Sequence, residues 1–562
     1  MVTSFFTRLL SSILLTVATG AMAADTAPKQ EPVELDADVL YDVLLGEIAG
    51  QRGRIDTASE ALARAARRTR DPRLAERATL AAVYAKQYHE ALKTATLWVE
   101  LRPNSADARE ALAGVLLELN RLDEARAEFQ QILKLEESQA AMEASYMRIA
   151  AVLGRVANRN AALDIMQGLV KQNAQAPVAH YALAHLAVRA GELDVAGTAI
   201  DRALALKPEW QDAALFKARI LVSQKDMLKA QQFYEEFLRK QAGATNVRLH
   251  YARFLIDQKQ WEKARDEFKR VATEMPDDAD AVYAVGLLAL QTNRMDEAET
   301  FLKRALALRP QNDQARVYLG QVVEASKRYT EAARWYKEVQ PGESYFEAQT
   351  RLAIVMARQN DIPGARAHLR SIQPENEQQR IQLILAEEQV LRDAKQYREA
   401  LEVLNDGLKQ LPDDKDLLYA RALVAEKLDM LPVVETDLRA ILKKDPKNVN
   451  ALNALGYTLA DRTDRYTEAQ EFLAQALELK PDDPFVLDSM GWLQYRLGNN
   501  AESIRLLKRA LTIRGDAEIA AHLGEVLWVT GDRHEAESVW TRALKDTPDN
   551  EALRGVIKKF KR

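Results

Sequence analysis

The stretch "MDEAETFLKRALALRP", residues 295–310, returns along this chain in variant form, as "LDVAGTAIDRALALKP" at 193–208 and "YTEAQEFLAQALELKP" at 466–481. Each copy has an Ala fourth, an apolar residue four positions on, a second Ala three beyond that, and a closing Pro. Followed from Ala58, the leading Ala recurs at Ala91, Ala125, Ala162, Ala196, Ala230, Ala264, Ala298, Ala332, Ala365 and Ala400. It returns at Ala469 and Ala536, with Val434 and Ser503 in the two intervening slots. From Ala91 to Ala400 the step is 34 residues, except for 37 before Ala162, 33 before Ala365 and 35 before Ala400. Twelve or thirteen residues ahead of the Ala stands a small residue: Gly46, Ala184, Ala252, Gly286, Gly320, Gly456, Gly491 and Gly524. Prolines 103, 208, 276, 310, 412, 446, 481 and 548 close eight of the units.

A period of this length has a physical cause. Two antiparallel helices cannot bury their apolar faces alone, but stacking the next pair buries them, and so on until a cap is reached. The small residues let paired helices approach closely. Pro ends the second helix because it lacks an N–H and pushes the preceding residue out of helical geometry. Short polar turns such as "TNRMDEA" and "RAGELDVA" suit helix–helix connections.

Period and skeleton together resemble the tetratricopeptide repeat. The resemblance implies an all-α, right-handed superhelical solenoid of about fifteen helix-turn-helix units over residues 39–548. Irregularities precede the unit near Glu143 and flank one degenerate unit, at "QPGESYFEAQ" (340–349) and "SIQPENEQQ" (371–379). The organisation expected is a signal peptide at 1–23, a flexible lead at 24–38 and a first array at 39–345. A degenerate, flexing unit at 346–380, a second array at 381–548 and a capping helix at 549–562 would follow.

Composition narrows the function classes. Of 562 residues, 47% are apolar and 29% charged, with Lys+Arg (78) nearly balancing Asp+Glu (83). A pI near 6.0 and interspersed signs argue against nucleic-acid binding, which shows as a basic patch. In the first 23 residues Arg8 precedes the uncharged run "LLSSILLTVATG", then "AMA" at 21–23. This pattern fits a secretory signal cleaved near Ala24; an uncleaved anchor is the other reading. The absence of Cys excludes thiolate catalysis, Cys-based zinc sites and a lipid carried on Cys at the cleavage point.

Catalytic signatures are missing: no HExxH, GxSxG or GxxxxGK[ST] occurs. His180 and His185, five residues apart, would lie roughly 140° apart around a helix and could not share a metal. The recurrent "DEA", "TEA" and "HEA" sit at helix starts, where acids complement the dipole. The chain therefore reads as non-enzymatic, with no cofactor, metal or small-molecule substrate, and binding is the function left.

In tetratricopeptide units the groove is lined chiefly by positions 2, 5, 9, 12 and 13 of the first helix. Carried onto "DSMGWLQYRLGN" (488–499), this places Asp488, Trp492, Tyr495 and Arg496 in the groove, while Leu487, Met490 and Gly491 pack. Asn450, Asn453 and Tyr457 of the unit before and Trp528 of the unit after would share that face. Aromatics and Arg are common interface anchors; Trp492 packed between superhelical turns is the competing reading. A second polar segment, Asn246, Arg253, Tyr283 and Gln321, resembles only loosely the carboxylate clamps of some tetratricopeptide domains and lacks their Lys/Asn/Arg set.

The run 450–499 is more specific. It resembles the C-terminal region of exported proteobacterial tetratricopeptide adaptors of carboxyl-terminal processing proteases. The resemblance implies a periplasmic scaffold that presents peptidoglycan hydrolases to such a serine protease. Those adaptors are typically lipoproteins, and the missing Cys points instead to a soluble form, with inner- or outer-membrane association left open. A scaffold for exopolysaccharide or envelope assembly is the alternative.

Overall fold

The computed structural model describes residues 36–136 and 138–561, so the expected signal peptide and most of the lead lie outside the described residues. Thirty-one α-helices and no strand occupy the described residues. They form fifteen antiparallel pairs, from Ala37–Gln51 with Ile55–Thr69 to Ala517–Thr530 with Arg533–Asp546, followed by a single helix at Glu551–Phe560. Two compact units divide the chain, Met1–Glu274 and Met275–Arg562.

Within a pair, each residue of the period has a structural task. In most pairs the first helix is opened by a side-chain cap. Asp278, Asp414 and Asp483 accept from the amides two and three residues on, and Ser105, Asn312 and Asn448 from the amide three on. In most pairs the turn to the second helix is made by one left-handed residue, Gly53, Gly191, Gly498 and Gly531 in four repeats but Lys86, Lys225, Asn293 or Lys327 in others. Around Asn293 the next amide, of Arg294, reaches back to the Ala289 carbonyl at 2.8 Å and ties off the helix end. The second helix stops at the residue before Pro, forced extended: Lys207, Arg309 and Lys480 have φ near −135° and ψ near 80°.

The small marker is a contact point. A Cβ built on Gly286, Gly456 or Gly491 would come within 2.6–2.9 Å of the Leu302, Leu473 or Leu507 side chain of the paired helix. On Gly320 and Gly524 it would run into the rings of Tyr336 and Trp540. The leading Ala of the second helix is buried in every pair that carries it. In the first unit the core runs through Phe129, Tyr146, Ile149, Met166, Ile200 and Phe216. In the second unit a long core runs from Ile381 through Leu455 and Leu493 to Ile519.

The expected degenerate unit falls inside the second compact unit. Its helices are Tyr345–Arg358 and Ile362–Ser371; the latter has ten residues, and Tyr329–Lys337 just before has nine, against fourteen in neighbours such as Met295–Leu308. No helix among the described residues is long and apolar enough to cross a membrane.

Candidate functional site

Three consecutive first helices, Val449–Arg462, Pro484–Arg496 and Ala517–Thr530, carry the residues expected in the groove. The structure brings Tyr457, Asp488, Trp492 and Arg496 together, but it does not display them all. Asp488 is 8% exposed and Trp492 7%, so the expectation that both face an open groove is corrected: the adjoining helices cover them.

The covering group is His522, which the sequence reading did not single out. Its Nδ1 lies 3.0 Å from both carboxylate oxygens of Asp488, and its ring stacks on Trp492 with centroids 4.4 Å apart. The Trp492 indole N–H donates to Asp461 at 3.0 Å. Arg496 donates to the Asp461 carbonyl at 2.9 Å and to the Tyr466 hydroxyl at 3.0 Å. Tyr457 places its hydroxyl 3.5 Å from the far nitrogen of His522. Burial raises the pKa of that phenol, with Asp461 and Asp488 adding to the effect, so it stays protonated.

The charge on His522 is a balance. Burial works against the imidazolium, but Asp488, through both its charge and its hydrogen bond, with Asp461 and Glu518 behind it, lifts the pKa above the ordinary histidine value. The result is a buried carboxylate–imidazole pair bridging adjacent repeats. His522 follows Asp488 by 34 residues, one repeat period, and that spacing is the signal that could have found it.

The remaining expected residues separate. Asn450 is exposed, and Asn453 is half-buried, with its side-chain carbonyl oxygen unpartnered. Tyr495 packs against Trp492 at 5.2 Å. Trp528 belongs to a different cluster, stacked on Trp540 at 5.6 Å and close to Phe560 of the terminal helix.

The first unit holds a more open face. The helices Pro177–Ala190, Gln211–Ser223 and Thr245–Asp257 line a cavity of about 500 Å³ with Tyr181, Phe216 and Phe254 at its apolar surface and Asp212, Arg219, His250, Arg253 and Asp257 around it. Phe216 stacks on His185 at 3.9 Å, and the Arg219 guanidinium sits 4.7 Å from the Phe216 centroid. Burial, and then Arg219, pushes His185 down to about 4, so it is neutral at physiological pH. Arg219 and Arg253 are exposed and make no ion pair among the described residues. Of the second polar segment, Asn246 and Arg253 lie in the first unit. Tyr283 and Gln321 lie in the second, where Gln321 donates to Glu347 at 2.9 Å. Among the described residues no cluster of His, Asp or Glu could hold a metal ion.

Paired helices with buried small residues and side-chain-lined first helices define a helical-repeat protein that binds other proteins. Tetratricopeptide repeat models match residues 181–245, 221–289, 289–343, 347–371 and 435–484. TPR repeat-containing protein PA4667 of Pseudomonas aeruginosa is 35% identical over 504 residues, spanning 90% of this chain and 85% of the relative. The chain belongs to the tetratricopeptide repeat family. A tetratricopeptide repeat protein from Parabacteroides merdae is similar over 50% of this chain and 99% of its own, at 16% identity and a TM-score of 0.34. The Cut9–Hcn1 hetero-tetramer of the APC/C aligns over 87% of this chain and 97% of that one, at 14% identity and a TM-score of 0.30. Neither structure says what this chain binds.

Proposed function

We propose that this protein is a non-catalytic adaptor of the bacterial periplasm that holds a carboxyl-terminal processing protease and presents peptidoglycan hydrolases to it. Two sequence features support the reading: the resemblance carried by residues 450–499, and the export-like segment at 1–23. The observation that carries its binding role is the face of the first unit, where Arg219 and Arg253 stand unpaired beside an aromatic surface. Side chains of this kind supply binding energy because a partner can satisfy them at little cost to the fold. Holding protease and substrate on one scaffold raises their effective concentration, which speeds cleavage without any chemistry from the scaffold.

The test is affinity capture from an envelope extract with residues 24–562, followed by degradation of the recovered hydrolase with and without this protein. Recovery of protease and hydrolase together, with faster degradation, supports the adaptor. Recovery of polysaccharide-synthesis components replaces it with an envelope-assembly scaffold. The double variant Arg219→Ala, Arg253→Ala, altered at exposed positions, is expected to lose roughly tenfold or more in affinity at an unchanged melting temperature.

A further inference from the structure

The first helix, Ala37–Gln51, has two apolar faces. Val39, Gly46 and Ala49 are buried, and Leu62 of the paired helix presses so closely on Gly46 that a Cβ there would lie 2.7 Å from its Cγ. The other face carries Leu40, Leu44 and Ile48 at intervals of four, with Tyr41 beside them, and their exposures are 48, 50, 48 and 64%. The Ile48 end of that face is covered in other repeats. The residue two beyond the small marker is Ile48 here and Phe254, Leu288, Val322, Leu493 or Val526 in later repeats, and all five of those are buried. The array begins at this helix among the described residues, so no preceding repeat covers the stripe.

We propose that a second copy of this chain covers it, the two first helices packing antiparallel about a twofold axis through Leu44. The stripe is its own complement in that arrangement: Leu44 meets Leu44, and Leu40 of each copy meets Ile48 of the other. The charges agree as well. Asp36 and Asp38 stand at the start of the helix, Arg52 and Arg54 just past its end. Antiparallel pairing sets each acidic end against the basic end of the other copy. Arg52 and Arg54 make no ion pair among the described residues, and Asp38 has only Arg68, at 3.1 Å between two exposed side chains. Stripe and helix ends together give an apolar centre with a charged rim, the anatomy of a protein interface. Identical patches facing across a twofold axis close the assembly at two copies.

The absence of Cys from the chain makes the test direct. Residues 24–562 are expected to sediment as a dimer at about 20 μM, and Leu44→Glu, which would set two carboxylates face to face on the axis, to weaken the dimer roughly 100-fold. Helicity of the Leu44→Glu monomer should match the parent, because the position is exposed within one copy. Leu44→Cys, carrying the sole thiol, should form a disulfide-linked dimer on mild oxidation, whereas Leu80→Cys, equally exposed on the next repeat, should not. A monomeric parent whose Leu44→Cys variant alkylates freely would overturn the proposal. So would a monomer in which the thiol of Leu44→Cys is protected, which would assign the stripe to the chain's own first residues. A dimer that survives Leu44→Glu, with no cross-link formed by Leu44→Cys, would place the contact elsewhere and overturn it equally.

Discussion

Asp488→Asn isolates the buried pair at the C-terminal repeats, because the amide can still accept from His522 while the charge is gone. In the parent, the folded state holds the His522 proton more tightly than the unfolded chain, whose histidine titrates near ~6.5. The resulting stability is fully present below ~6.5 and drains away as pH rises through the raised folded value. Each unit by which the folded pKa exceeds the unfolded one is worth about 1.4 kcal/mol. In Asp488→Asn the charge of Asp488 is gone and only a neutral hydrogen bond remains, so burial, the largest influence on this ring, prevails. The folded pKa then drops below the unfolded one and the sign inverts: the variant loses stability as pH falls through ~6.5. The loss at low pH is capped at ~3–5 kcal/mol, the cost of stranding one member of a buried pair, because the imidazole can shed its proton instead. Repeats open locally, so the assay is native-state hydrogen exchange, corrected for intrinsic rates, on Pro484–Arg496 and Ala517–Thr530 at about pH 6 and pH 9. Pro177–Ala190, in the other unit, serves as the internal control. Parent protection that does not decline between these pH values, or a variant that changes in the same direction as the parent, refutes the reasoning.

Other expectations follow from packing. Gly524→Ala and Gly320→Ala, whose new methyls would collide with Trp540 and Tyr336, should each cost ~1–3 kcal/mol in urea unfolding. Gly197→Ala, a helical site with nothing within 4 Å, should be neutral or stabilise by up to ~1 kcal/mol. Asp437, 1% exposed and gripped by Arg421 at 2.6 and 2.7 Å, should cost ~3–5 kcal/mol when replaced by Ala, read as earlier loss of helicity on heating. Trp492→Ala, a core deletion rather than a groove deletion, should cost ~3–5 kcal/mol by the same measurement.

The repeat itself was plain in the sequence because its markers are steric. A small residue under Leu302 or Trp540, an Ala at the helix crossing and a Pro after the second helix each answer a contact that leaves few substitutes. The left-handed turn was less legible. Gly marks it at Gly191, Gly498 and Gly531, but Lys86, Lys225 and Lys327 adopt the same conformation. There the helix-ending hydrogen bonds outweigh the modest cost of positive φ. The site was half legible: the repeat positions grouped Asp488 and Trp492 with Tyr457 and Arg496, which the structure brings together, but whether their side is open depends on the neighbouring helix. Only a position in the next repeat, His522, decides it.

That dependence yields a rule testable on this chain. Residues one period apart on successive first helices face each other, so the signs of such a pair determine whether the groove closes on itself. Asp488 and His522 are opposite and close, drawing Trp492 under cover. Arg219 and Arg253 are also 34 residues apart, but both are cations, and both are exposed with no ion pair among the described residues. Like charges at this spacing would leave two binding groups available where opposite charges would pair. Arg253→Glu is therefore expected to do what losing one cation could not: pair with Arg219 and close that stretch of groove. The two outcomes part in hydrogen exchange. Closure raises protection across Gln211–Ser223 and Thr245–Asp257 above the parent, whereas Arg253→Ala leaves it unchanged. Equal protection in the two variants would show that period-spaced charges do not govern which stretch of the array stays open.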